Sequence, residues 1–123
     1  FHDNSTINLI LIGGQFGLSK MECIGPVALQ GISAFYADYA VIGAGAVSPK
    51  AGVMDQDLNE AAIARQMIKN SNKTIVLADG HKLNNHATGL VAELKDISWL
   101  VTSDPEKKLK NLVFPANLQV IVA

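Results

Sequence analysis

Short, almost wholly apolar runs alternate with amphipathic stretches along this chain. Each run has the length of a strand and ends at glycine or polar residues. Apolar runs without polar alternation are typical of strands buried on both faces of a parallel sheet. The strands predicted in this way are 7–12, 39–43, 74–78, 97–102 and 118–122.

Helical spacing of apolar residues predicts helices between these strands. The first helix begins at Gly25-Pro26, because proline is favoured in a first helical turn. The second runs from Asp57 to Asn70, with Asp55 or Asp57 as its N-cap and Glu60 in its first turn. A third is predicted from Pro105 to Leu112.

The remaining segments carry weaker patterns. Residues 15–22 and 48–57 are predicted as loops, and 86–94 contains a short extended segment. Strands alternating with helices favour an α/β fold with a mostly parallel sheet and helices on both faces. Neither a linker nor an internal repeat divides the 123 residues, so a single domain is expected.

Charge and cysteine content exclude several classes of function. Ten basic and 11 acidic residues give a formal net charge of -1 without any basic run, so the chain has no electrostatic footprint for nucleic acid or an anionic membrane. No apolar run approaches the roughly 20 residues of a membrane span. Cys23 is the only cysteine, and no zinc-like ligand spacing surrounds it. A cytoplasmic protein without a metal or cofactor is expected.

The strand at 74–78 ends in a cluster of polar residues around one glycine, Asp79-Gly80-His81-Lys82. Ligands of open α/β sheets bind beyond the carboxyl ends of the strands. The Lys82 ammonium, with backbone N–H groups of glycine turns such as Gly13-Gly14, therefore predicts an anion or phosphate site. The alternative is an exposed Asp79–Lys82 pair that contributes at most ~1 kcal/mol.

Glu60 and the glycines also have two interpretations each. Glu60 could bind ligand hydroxyls or act as a base, or it could simply favour the helix dipole. Gly43 and Gly45 leave room beside a strand end, yet they do not complete a dinucleotide fingerprint. His81 could contact a ligand or remain a solvated loop residue, and no Gly-x-Ser-x-Gly elbow supports a hydrolase.

Several motifs occur in a fixed order over nearly the whole chain. They are Gly13-Gly14, Ile24-Gly25, 38–43, Gly52, Glu60-Ala61, Met67-Ile68, 75–79 with Lys82, and 100–104. This ordered set resembles the effector domain of DeoR-type bacterial transcriptional regulators.

The resemblance implies a fold similar to ribose-5-phosphate isomerase and coenzyme A transferases, and a role in sensing phosphorylated sugars. Members of the family carry an N-terminal winged helix-turn-helix for operator DNA and a phosphate loop early in the sensor. Neither is found in this chain, which starts at Phe1. The chain is therefore expected to be an effector-binding fragment, 1–123, that reaches DNA only through an absent domain and forms a homo-oligomer.

The family's Asp-x-Ser-Lys motif falls on residues 79–82, with His81 in place of the usual serine. The acid and the lysine match, so the departure affects which effector is bound. The resemblance further places Glu60, Gly43, Gly45 and Gly52 around the pocket. Gly14 joins them as part of the first glycine turn.

Two other functions remain open. A sugar-phosphate isomerase or deaminase of the same fold would carry an acidic run after a central strand, whereas residues 43–47 here contain no carboxylate. A non-enzymatic sensor is therefore favoured. An oligomerisation module with a vestigial pocket is the third possibility.

Overall fold

The structure is a computed structural model and describes residues 6–123. It contains nine strands and two α-helices over these residues. They are β1 (Gln15–Gly17), β2 (Glu22–Ile24), α1 (Gly25–Ser33), β3 (Ala37–Gly43), β4 (Ala46–Ser48), β5 (Gly52–Asp55), α2 (Leu58–Lys69), β6 (Ser71–Ala78), β7 (Gly89–Ala92), β8 (Trp99–Thr102) and β9 (Gln119–Val122).

A parallel sheet of four strands, in the order β3-β6-β8-β9, forms the centre of the fold. The α/β class with a mostly parallel sheet is thus confirmed, as are the helices that begin at Gly25 and after Asp57. Val76 and Leu100 lie side by side in this sheet and are almost completely buried. They pack in one core with Ala61 of α2, because β6 and α2 bury their apolar sides against each other.

The two faces of this sheet differ. One face carries the buried residues Ala40, Ile42 and Val76. On the other face, Val41 and Leu77 remain about half exposed, at 51% and 47%. The predicted second layer of helices is therefore not seen among the described residues.

A second, antiparallel sheet in the order β4-β5-β7 stands where a loop was predicted for 48–57. The β4–β5 turn is so tight that Gly52 takes a φ of 86°, a conformation that favours glycine. Val53 and Met54 are buried by this pairing, which explains why so short a hairpin is stable.

The first apolar run was predicted as a strand and does not form one. Residues 7–12 pair with no strand in the described part of the chain, and Leu11 is 85% exposed. An apolar run becomes a strand only where a neighbour accepts its backbone hydrogen bonds. The segment 15–22, predicted as a loop, instead contributes β1 and the start of β2 to an antiparallel hairpin.

The third predicted helix is also wrong. Between Pro105 and Leu112 only a 3₁₀ turn forms, from Leu109 to Asn111. Lys107 has a φ of 53°, a left-handed conformation that interrupts a right-handed helix. The Asp104 carboxylate accepts hydrogen bonds from the backbone N–H groups of Lys108 and Leu109, at 2.7 and 3.2 Å. These bonds stabilise the turn in place of a helix.

Candidate functional site

A polar cleft of about 590 Å³ lies beyond the carboxyl end of β3. It is bordered by the β1–β2 hairpin, the segment after β3, the end of β5, the first turns of α2, and Lys82. Its charged lining residues are Lys20, Glu22, Asp55, Glu60 and Lys82. In open α/β folds, this end of the sheet is where ligands bind.

A second cavity, of about 390 Å³, lies between α1, α2 and the start of β3. Its lining is mainly apolar, with side chains such as Ile32, Phe35 and Met67. Charged side chains are absent from that lining, so the cavity offers no partner for an anionic ligand. A third cavity, of about 620 Å³, carries Lys50 and Lys95, but none of its lining residues belongs to the parallel sheet. The polar cleft at the end of that sheet is therefore the candidate site.

Two glycines of the cleft lining have different roles. A Cβ added at Gly43 would meet no other atom within 4 Å, so glycine leaves space there. At Gly45, by contrast, a Cβ would lie 3.2 Å from Asp55 Cα. The Gly45 N–H donates to the Met54 carbonyl oxygen at 2.9 Å, which holds the segment after β3 against β5. Gly43 thus shapes the space, and Gly45 holds its wall.

Lys82 lies in a 3₁₀ turn, Gly80–Lys82, directly after β6. The turn is fixed from both sides. Its Gly80 N–H donates to Ser103 Oγ at 3.0 Å, and the Asn84 N–H donates to the Val47 carbonyl oxygen at 2.7 Å. No ion pair between the described residues involves the exposed Lys82 side chain. Its ammonium is therefore available to an anion in the cleft.

Glu60 lies in the first turn of α2 and lines the cleft. The helix is positioned by Asp57, whose side chain accepts hydrogen bonds from the N–H groups of Asn59 and Glu60, which confirms Asp57 as the N-cap. Lys20 Nζ lies 2.7 Å from Glu60 Oε1 and 3.5 Å from Asp57 Oδ2. Glu60 is therefore already paired with a cation from the β1–β2 hairpin.

Glu22 brings a second carboxyl group to Glu60. A hydrogen bond between the two side chains raises the pKa of Glu22 to about 7 and is the largest cause of a lowered pKa at Glu60. Burial raises the pKa of the neighbouring Asp55, which also lines the cleft. Two carboxyl groups in hydrogen-bond contact share one proton, because both cannot ionise at low cost.

Other residues predicted for the site lie outside the cleft lining. Asp79 caps the 3₁₀ turn and accepts a hydrogen bond from the His81 N–H at 3.0 Å. The exposed His81 ring places Nδ1 3.3 Å from Glu106 Oε1. Both residues thus stabilise or surround the turn that carries Lys82.

Gly14 and Gly52 are likewise placed by packing. A Cβ at Gly14 would lie 2.8 Å from the Ala28 side chain, where the segment before β1 crosses α1. A Cβ at Gly52 would collide with the Ala92 backbone in β7. Of the predicted site residues, the structure therefore brings Lys82, Glu60, Gly43 and Gly45 to one cleft.

Sequence reasoning missed Lys20 and Glu22. They lie about 40 residues from Glu60 in a segment predicted as a loop, and only the β1–β2 hairpin brings them there. The three residues of β2, polar Glu22 followed by apolar Cys23 and Ile24, are too few to show the pattern of a strand.

Comparison with known proteins shows which family the chain belongs to. The family model for the DeoR C-terminal sensor domain matches residues 1–104. The chain belongs to this family. A sensor domain is a binding domain, and the cleft offers a lysine, Lys82, that no ion pair among residues 6–123 engages.

Named relatives of this DeoR-type sensor domain are transcriptional repressors. The glycerol-3-phosphate regulon repressor of Haemophilus influenzae is 27% identical over 108 residues, which are 88% of this chain and 42% of the relative. The transcriptional repressor CsqR of Escherichia coli is 25% identical over 122 residues, 98% of this chain and 47% of the relative. The repressor GlcR of Bacillus subtilis is 28% identical over 100 residues, 81% and 38% respectively. The DeoR-type chain thus spans less than half the length of these relatives.

Two further features bear on the site. Within residues 6–123, no three His, Cys, Asp or Glu side chains are grouped so that they could hold a metal ion. Neither described α-helix has the length and apolarity that crossing a membrane requires.

Proposed function

We propose that this chain is the effector-binding part of a DeoR-type transcriptional repressor and that its cleft binds a phosphorylated sugar or polyol. The observation that carries the proposal is Lys82, which has no ion-pair partner among residues 6–123, at a cleft that Gly43 leaves open, in a chain of the sensor-domain family. Lys82 binds the phosphate. Asp79 holds the turn that carries Lys82, and Glu60 accepts hydrogen bonds from ligand hydroxyls.

The effector acts by binding unequally to two arrangements of the whole repressor. A ligand shifts an equilibrium only by its difference in affinity for the two states. Operator DNA is bound through a separate winged helix-turn-helix domain, and 1–123 forms one effector-binding domain. In this proposal the whole repressor is a homo-oligomer in the cytoplasm.

An isomerase or deaminase is the second candidate, because the Glu22–Glu60 pair puts a proton-sharing carboxyl group into the cleft. The segment 43–47 supplies no carboxylate base. Conversion of ribose 5-phosphate or glucosamine 6-phosphate above background, lost in Glu60→Gln, would favour the enzyme over the sensor.

A matched pair of glycine variants tests where the ligand binds. The panel is glycerol 3-phosphate, ribose 5-phosphate, fructose 6-phosphate, glucosamine 6-phosphate and inorganic phosphate, read by the shift in melting temperature. Gly43→Val is expected to abolish the stabilisation that the best compound gives to the wild type, because the side chain occupies the open floor. Gly13→Val is the control, since a Cβ at Gly13 also meets no atom within 4 Å but lies outside the cleft lining.

Both variants are expected to fold, because neither added Cβ meets a neighbouring atom. Stabilisation of the Gly43→Val protein equal to that of the wild type would place the ligand elsewhere. Absence of stabilisation of the wild type by every compound would contradict the proposed function.

A further inference from the structure

Carboxyl groups crowd one part of the cleft. Glu22, Asp55 and Glu60 come from the hairpin, β5 and α2, and all three line the cleft. Asp57 adds a fourth carboxylate beside them, 3.5 Å from Lys20 Nζ. Lys20 is the cation that faces this group, so the group stays negative even with one shared proton.

Lys82 stands electrostatically apart from this group. Lys20 Nζ pairs with Glu60 Oε1 and Asp57 Oδ2, at 2.7 and 3.5 Å, whereas no carboxylate of residues 6–123 lies within ion-pair distance of Lys82 Nζ. Among residues 6–123, the cleft therefore offers one cation without an ion pair and, around Lys20, an excess of negative charge. The other titratable group of its lining is the Cys23 thiol.

We infer that the cleft selects ligands with a single anionic group, held by Lys82, and hydroxyl groups elsewhere, and that Glu22 is the residue that excludes a second anionic group. This inference rests on the proposed function and narrows its ligand class. A sugar bisphosphate or a phosphorylated sugar acid would place its second charge against the carboxyl groups, where like charges are unfavourable. Hydroxyl groups suit the same place, because they donate to carboxylates and accept from a shared carboxyl proton.

Glu22 reaches the cleft from the hairpin, where its side chain contacts Glu60. Lys20 Nζ lies 2.7 Å from Glu60 Oε1, a contact that holds Glu60 at the cleft whether or not Glu22 carries a proton. At pH 8.5, above the pKa of about 7 of the Glu22 carboxyl group, Glu22→Gln removes one negative charge and retains a side chain that can donate to Glu60. The variant therefore changes the charge of the cleft and preserves its shape.

Pairs of compounds that differ by one anionic group test the inference. They are glycerol 3-phosphate with 3-phosphoglycerate, fructose 6-phosphate with fructose 1,6-bisphosphate, and glucose 6-phosphate with glucose 1,6-bisphosphate. Affinities for the full chain are measured by isothermal titration calorimetry at fixed ionic strength and at pH 8.5, where Glu22 and Glu60 are both ionised. The wild type is expected to bind the singly phosphorylated member of a pair at least about tenfold more tightly, and Glu22→Gln to reduce that ratio by about tenfold.

Glu93→Gln is the matched control, because Glu93 pairs with Lys95 at 3.2 Å and does not line the cleft. Glu93→Gln is expected to leave the ratio of the two affinities unchanged. A general effect of net charge would instead lower this ratio in both variants. A purely structural role of Glu22 would weaken both members of a pair equally, and this result would overturn the inference. So would equal affinity of the wild type for both members. Failure of every compound to bind would instead contradict the proposed function itself.

Discussion

Replacing Lys82 with alanine is expected to lower the affinity for a phosphorylated ligand by about 100-fold, because the ammonium is the cation available to the phosphate. The other lysine of the cleft, Lys20, is already paired with Glu60 and Asp57. Lys20 would have to break its ion pairs with both carboxylates before it could bind the phosphate in place of Lys82. The loss is measured by titration calorimetry with the best compound of the panel, beside the same titration with inorganic phosphate.

Lys110→Ala is the control, since Lys110 is an exposed lysine of the 3₁₀ turn at Leu109–Asn111 and does not line the cleft. Lys82 is exposed as well, so both variants are expected to keep the melting temperature of the wild type. Unchanged affinity in Lys82→Ala would show that the phosphate is bound by another group.

Gly52→Val is expected to destabilise the fold by about 3 kcal/mol or more, because a side chain forced into the left-handed region is strained and would also collide with buried backbone. Gly52 has a φ of 86°, and its missing side chain leaves room for the Ala92 carbonyl in the antiparallel sheet. The free energy of unfolding is measured by urea denaturation, with Gly17→Val as the control, since a Cβ at Gly17 comes no closer than 3.8 Å to its nearest neighbour.

This prediction also separates packing from binding. The resemblance placed Gly52 beside the ligand, whereas the structure places it against β7. A Gly52→Val protein with wild-type stability and reduced ligand affinity would indicate that Gly52 lies at the ligand site, as the resemblance implied.

The central sheet could be predicted from sequence because each of its strands lies in a predominantly apolar run of at least five residues. The runs 74–78 and 97–102 each pair with a strand on either side, and one face of each is buried, so hydrophobicity alone marks them. The run 7–12 has the same pattern, and yet Leu9 and Leu11 are exposed. Pattern gives the tendency of a segment to form a strand, and only a neighbouring strand can satisfy its backbone.

Three-residue strands escaped prediction for a different reason. β1, β2 and β4 are too short to show a period of two, and their pairing depends on tight turns. The prediction of the site was limited in the same way, because part of the site depends on these short strands. Lys82 and Glu60 could be predicted because each follows or begins a strong element, whereas Lys20 and Glu22 reach the cleft only through the hairpin.

The most direct test of the account maps the bound ligand onto the chain. Backbone amide signals of the ¹⁵N-labelled protein are followed by NMR during titration with the best compound of the panel. The largest shifts are expected at Gly43, Gly45, Glu60 and Lys82, with little change at Gly52 or around the apolar cavity at Ile32. Shifts centred on the apolar cavity, with none at Gly43 or Lys82, would contradict the account.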